Sequence, residues 1–108
     1  MRVYNIHDEQ GRLFAFEVSN FLLGRMGAIR VISRISGARN VWTPSLSWFS
    51  LDVFCRFELD GVTFEVDEPF GDNSRYWIGP KPPQPEPPPI LQLNAIREAF
   101  IRARRYPF

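Results

Sequence analysis

Apolar residues recur at every second position over most of this chain, and the period changes to a helical one in only two stretches. "VYNI" (3–6) and "LFAFEV" (13–18) alternate on either side of "HDEQGR", where Asp8 and Gly11 suit the first and last positions of a type I turn. The pattern predicts a hairpin with Phe14, Phe16 and Val18 on one face. In "SNFLLGRMGAIRVISRISG" (19–37) the period lengthens. At about 100° per residue, Phe21, Leu22, Met26, Ala28, Ile29, Ile32 and Ile35 are expected on one broad arc, with Arg30 and Arg34 opposite. Ser19 or Asn20 can cap the start, and Gly37 suits the left-handed residue that closes a helix. Gly24 and Gly27 each cost about 1 kcal/mol relative to alanine, so the helix is expected to begin late, near Arg25.

The strongest local signal is "LDVFCRFEL-DG-VTFEVDE" (51–68), in which Asp60-Gly61 between alternating runs is the preferred two-residue type I′ hairpin turn. If Leu59 faces Val62, Phe57 pairs with Phe64 and Cys55 with Val66, all on one face. Arg56 then opposes Glu65 on the other face, an opposite-charge pair worth roughly a few tenths of a kcal/mol. A slip of one residue would destroy both patterns. Carried further, the register places Glu68 on the apolar face opposite Val53. Either the strand ends there, or Glu68 is a partly buried carboxylate that needs a partner, for which Arg75 is a candidate.

"ARNVW" (38–42) and "RYWI" (75–78) read as further short strands, the first followed by the loop "TPSLSWFS". Seven of residues 80–89 are proline, which excludes helix and interior strand and favours extended polyproline II. P-x-x-P spacing occurs there, but a semi-rigid strap between the last strand and the final helix is the simpler reading. The last piece is expected to be helical from about Asn94, with Ile96, Ala99, Phe100 and Ala103 as its stripe and Arg97, Arg102, Arg104 and Arg105 turned elsewhere. Strands and helices do not alternate regularly, so a doubly wound parallel sheet is not expected. The expected fold is α+β: a single antiparallel or mixed sheet of five or six strands, with two helices packed on one face. Residues 1–108 make one domain, and 80–89 are a strap within it.

Composition fits that outline. A chain of 108 residues with 44% hydrophobic content and ten phenylalanines can bury a core without staples. The lone Cys55 leaves no internal disulfide, the first ten residues hold no signal-peptide apolar run, and no stretch is long enough to cross a bilayer. A soluble, cytoplasmic protein with no membrane partner is the expectation. The net charge of +1 gives no overall bias toward nucleic acid. Twelve arginines stand against one lysine, and they are unevenly placed: residues 19–51 carry four arginines and no acid, and 52–72 carry seven acids and only Arg56.

Candidate chemistry is sparse. Cys55 falls between Val53 and Phe57 on the inward side of the hairpin and reads as a small core residue, with His7 as a surface residue beside a turn. One cysteine and one histidine are too few for a zinc site, and "DEPFGDNS" lacks the spacing of a calcium loop. Asp67 and Glu68 are adjacent on a strand and point to opposite faces. No catalytic, metal-binding or cofactor-binding residue is assigned, and no cofactor is expected. Pro69, Gly71, Asp72, Asn73 and Ser74 are suited to shape a bend through backbone conformation and local hydrogen bonds. Arg75, Tyr76 and Trp77 follow, and alternation sends the two rings to opposite faces, so at least one reaches the exposed side. Trp42, Trp48 and Phe49 flank the other loop. Trp, Tyr and Arg dominate interface hot spots, which makes Glu68, Asp72, Asn73, Arg75, Tyr76 and Trp77 the expected protein-binding set.

"DGVTFEVDEPFGDNSRYWIGP" resembles a segment, E-P-x-G-D-x-S-R-Y-W, found in small uncharacterised bacterial proteins. Proteins of that size and kind include immunity partners of secreted or contact-delivered toxins. The resemblance covers roughly residues 52–80 and implies a non-enzymatic interaction module. Its partner would be another protein, for instance a basic toxin domain met by the acidic stretch 52–72. Two other expectations stand beside it. One is an enzyme or ligand-binding protein with a pocket between sheet and final helix, lined by Glu68, Arg75 and Tyr76. The other is a nucleic-acid-associated regulator using Arg30, Arg34, Arg97, Arg102, Arg104 and Arg105. No helix-turn-helix, RNP-type aromatic motif or phosphate-cradling loop accompanies those arginines, so nucleic acid is not the expected partner.

Overall fold

The computed structural model describes residues 2–19, 24–43, 53–68 and 75–105. They form β1 (Val3–His7), β2 (Leu13–Ser19), α1 (Gly24–Ser33), β3 (Arg39–Trp42), β4 (Val53–Leu59), β5 (Val62–Asp67), β6 (Arg75–Pro80) and α2 (Ile90–Arg105). The six strands make one sheet in the order β1-β2-β6-β5-β4-β3, antiparallel at every pairing. The chain therefore has the expected α+β architecture. Helix α1 lies over β3 and β4, and α2 over β2 and against α1.

The core is the layer between the helices and one sheet face. Phe16 and Val18 of β2, Tyr76 and Ile78 of β6, Phe64 and Val66 of β5, and Cys55 and Phe57 of β4 point into it. Ala28, Ile32, Leu93, Ile96 and Phe100 close it from the helix side. Phe57 and Phe64 stack at 5.5 Å, and Phe16 meets Phe100 edge-on at 6.2 Å. Fully burying a side chain of this size stabilises the fold by about 1.5–3 kcal/mol.

The central hairpin has the register its sequence predicts: Leu59 faces Val62, Phe57 faces Phe64, Arg56 faces Glu65 and Cys55 faces Val66. Asp60 and Gly61 both take positive φ, 52° and 77°, as a type I′ turn requires. The register then shifts between Val53 and Cys55, so Val53 faces Asp67 and not Glu68. The extra residue of a β-bulge breaks the period-two count, and β5 ends one residue before Glu68.

Three other expectations change. Helix α2 starts at Ile90, four residues before Asn94: the amides of Ile90 and Leu93 donate to the carbonyls of Pro88 and Pro89. Prolines are tolerated at the start of a helix, where their missing N–H has no intrahelical acceptor, so the strap runs directly into the first turn. Helix α1 ends at Ser33, and short bonds from Arg34 to Val31 and Ile35 to Ile32 lead the chain to Gly37, at φ 86°. Met26 is exposed and not on the apolar arc, because two residues turn the helix by about 200° and set it opposite Ala28. Phe21, Leu22, Trp48 and Phe49 lie outside the described residues.

The strap is held at its start and near its middle. The amide of Lys81 donates to the Thr63 carbonyl at 2.8 Å, and Arg12 bonds both Asp8 at the β1–β2 turn and Glu86 at 2.7 Å.

Candidate functional site

Strand alternation decides what the other sheet face carries. With Phe16 and Val18 inward, Glu17 points outward; with Tyr76 and Ile78 inward, Arg75 and Trp77 point outward; with Phe64 and Val66 inward, Thr63, Glu65 and Asp67 do. Cross-strand register then lines these residues up. Tyr4, Glu17, Trp77 and Asp67 stand directly beside one another across β1, β2, β6 and β5. The next row runs Gly79, Glu65, Arg56 and Trp42 across β6, β5, β4 and β3. Among the described residues, neither helix covers this face.

Its charged groups are ordered by its rings. The Arg75 guanidinium lies 3.9 Å over the Tyr4 ring and donates to Glu17 Oε1 at 3.1 Å. Arg56 lies 4.9 Å over the ring of Trp42, which is 41% exposed, and its Nε donates to Glu65 Oε2 at 2.8 Å. Glu58 accepts a bond from the Asn40 amide at the sheet edge. The benzo edge of Trp77 approaches Gly79. A β-carbon placed there would come within 2.6 Å of the indole Cη2 and 2.9 Å of the Ala15 methyl. Glycine is the residue that leaves room for the indole edge here.

The core side holds a different constellation. Glu68, just past β5, is buried and accepts a bond from Arg25 Nε at 2.8 Å, their side chains only 7% and 13% exposed. The Arg25 guanidinium also lies 4.9 Å from the Phe54 ring, which meets Tyr76 edge-on at 5.0 Å. Burial pushes the Tyr76 phenol up to about 12; the Glu68 carboxylate acts in the same direction and Arg25 opposes it. Glu68 thus takes its cation from α1 and not from Arg75.

The expected binding set therefore divides. Arg75 and Trp77 share the outer face; Glu68 and Tyr76 are buried on the helix side; Asp72 and Asn73 lie outside the described residues. Because Glu68 and Tyr76 are separated from Arg75 by the sheet, these three do not line one pocket. Cys55 is a buried free thiol pushed up to about 12 by desolvation, which leaves it protonated and unreactive near neutral pH. Among the described residues, no group of three His, Cys, Asp or Glu side chains could hold a metal ion, and no helix is long and apolar enough to cross a membrane. Arg30, Arg34 and Arg102 are exposed, while Arg97 donates to Asn5 Oδ1 at 3.2 Å.

Sequence reasoning placed Arg56 opposite Glu65 on this face, as the register has it, and missed Tyr4, Glu17 and Gly79 as its members. Alternation already placed Tyr4 and Glu17 opposite the Phe16–Val18 face, but the neighbour of β2 could not be named from it. Comparison with known family models, with curated proteins and with solved structures found no match.

Proposed function

We propose that this chain is a non-enzymatic interaction module that binds another protein through the outer face of its sheet. The observation that carries the reading is the registered set Tyr4, Glu17, Trp77 and Asp67, with Arg75, Arg56 and Trp42 beside it, on the face away from the helices. Tyr, Trp and Arg supply most of the binding energy in protein interfaces. Here two of the arginines are already stacked and hydrogen-bonded, so less side-chain entropy is lost when a partner orders them.

A toxin-neutralising role is the form of this module that the 52–80 resemblance suggests, and we include it in the proposal. Occluding a partner's site needs a rigid surface and no reacting group. Attraction of a basic target by the whole 52–72 stretch is weakened, because Glu65 is paired with Arg56 and Glu68 is buried with Arg25.

The test is site-specific photo-crosslinking in the cells that make the chain. A photoreactive residue at Thr63, on the outer face, is expected to give a discrete adduct with one protein, and the same residue at Ser33, exposed on α1, is not. An adduct at Ser33 with none at Thr63 would refute the assignment of the face.

A further inference from the structure

We propose that the open edge of β1 pairs with β1 of a second copy of this chain, joining two sheets into one continuous sheet about a two-fold axis at Asn5. The proposal goes beyond the outer face and does not depend on it. The strand order of the described residues leaves two edges, β1 and β3, and they differ. β3 is four residues long, carries Arg39, turns Asn40 to φ 52° and shifts register between Arg39 and Trp42. Charges and kinks of this kind keep other strands off a sheet edge. β1 reads VYNIH, with no proline, acid, lysine or arginine. Its pairing with β2 also shifts, but Ile6 faces Ala15 and His7 faces Leu13, so the extra residue is Phe14 of β2 and β1 itself stays regular.

The backbone bonds show which groups of β1 are open. The Ser19 amide donates to the Arg2 carbonyl and the Asp8 amide to the Arg12 carbonyl. Even-numbered residues of β1 therefore bond β2, and Val3, Asn5 and His7 turn their N–H and C=O groups to the open side. Antiparallel pairing of two copies about Asn5 sets Asn5 against Asn5, Val3 against His7 and Tyr4 against Ile6, so open groups meet open groups. A slip of one residue would set them against groups already bonded. Asn5 Oδ1 accepts from Arg97 Nη1 at 3.2 Å, which draws that side chain toward the helix layer. Tyr4 and Ile6 are half-buried on the outer face, and each gains the other as an aromatic–β-branched neighbour, twice by symmetry. A foreign strand would share the backbone bonds alone. A second copy satisfies the backbone and the side-chain pairs of both partners in one register.

The test uses the full chain. Sedimentation velocity over a concentration series is expected to take the mass from 12.6 kDa toward twice that value. Asn5→Pro removes the outward N–H and leaves the bonds to β2, since proline is tolerated where an edge N–H faces solvent. It is expected to raise the dimer dissociation constant about tenfold or more. Asn5→Ala, which loses the side-chain bond to Arg97 and keeps the N–H, is expected to dimerise still. Should circular dichroism show the proline variant unfolded, Asn5→Lys takes its place: two ammonium groups meet across the axis, and the same loss is expected. Oxidation reads the register, with Cys55 buried and out of reach. Asn5→Cys lies on the axis, its two Cα atoms about 5.5 Å apart, and is expected to give a disulfide-linked dimer. In His7→Cys the two positions lie about 14 Å apart along the strands, and no link is expected. The inference is overturned by a parent chain that stays at 12.6 kDa at every concentration, by a folded Asn5→Pro chain that dimerises like the parent, or by linkage at His7→Cys and not at Asn5→Cys.

Discussion

Glu68→Gln is the substitution whose cost the structure fixes most tightly. Glu68 and Arg25 meet at 2.8 Å with side chains 7% and 13% exposed, so removing the carboxylate charge takes a close counter-ion from a guanidinium that water barely reaches. Breaking a buried ion pair by removing one partner costs about 3–5 kcal/mol. Arg25 keeps its contact with the Phe54 ring at 4.9 Å and some solvent, which places the expected loss at the lower end, about 3 kcal/mol. A domain of this size has a total stability of about 5–15 kcal/mol, so the loss is a large fraction of the whole. It should lower Tm by about 12 °C or more. Replacing both partners by methionine removes the desolvation cost along with the attraction, and such exchanges are often neutral. Arg25→Met with Glu68→Met is therefore expected within about 1 kcal/mol of the parent. Urea unfolding of the parent, the two single variants and the pair gives the coupling energy directly. If Glu68→Gln costs under about 1 kcal/mol, or the double variant loses the sum of the singles, the pair does not organise this side of the core.

Two further outcomes follow from the same structure. Gly79→Ala places a methyl group 2.6–2.9 Å from the Trp77 ring and Ala15, and such overpacking is expected to cost about 1–3 kcal/mol in urea unfolding. Trp77→Leu in that background should restore part of it, and no restoration would mean that the ring is not what the methyl group meets. Stability should also fall in alkali. Cys55 and Tyr76 are raised from 9.0 and 10.0 to about 12 in the fold, so above pH 9 the unfolded chain releases protons that the native one keeps. Thermal unfolding temperature should decline from about pH 9 toward pH 12; Tyr76→Phe should flatten the part above pH 10, and an unchanged slope would count against that burial.

What could be read in the sequence was local and periodic. Asp60-Gly61 with its flanking alternation carried the whole central register, because a one-residue slip would have turned Phe57 and Phe64 to water. The same count misplaced Glu68 by one position, since a bulge between Val53 and Cys55 leaves no mark in a pattern of apolar and polar residues. Alternation also showed that Tyr76 and Trp77 part company, but not which one faces water. That depends on β6 lying between β2 and β5, a pairing across some sixty residues of chain. The partners of Glu68 and Arg75 were hidden for the same reason. A buried carboxylate announces that it needs a cation, and only the three-dimensional path says that α1 supplies it. Proline spacing misled in a different way, by marking where a helix cannot continue while α2 uses those prolines to begin.

The arginine–aromatic contacts separate into two kinds, and the difference bears on function. Arg25 is enclosed, bonded to Glu68 and set against Phe54, so its removal would be felt by the fold. Arg75 and Arg56 make the same contacts on the outer face with side chains 36% and 40% exposed. Each pair joins a half-exposed guanidinium to a carboxylate only 10–15% exposed, so it offsets that carboxylate's burial and adds little net stability beyond it. A face built for stability alone would gain more from β-branched and apolar pairs across the strands. The outer set makes better physical sense as a surface held in readiness, its side chains oriented beforehand so that a partner need not order them. Because the Arg75 side chain is 36% exposed and that of Arg25 only 13%, Arg75→Ala should lower Tm by less than Glu68→Gln, and loss of the Thr63 adduct in the folded variant would report on binding.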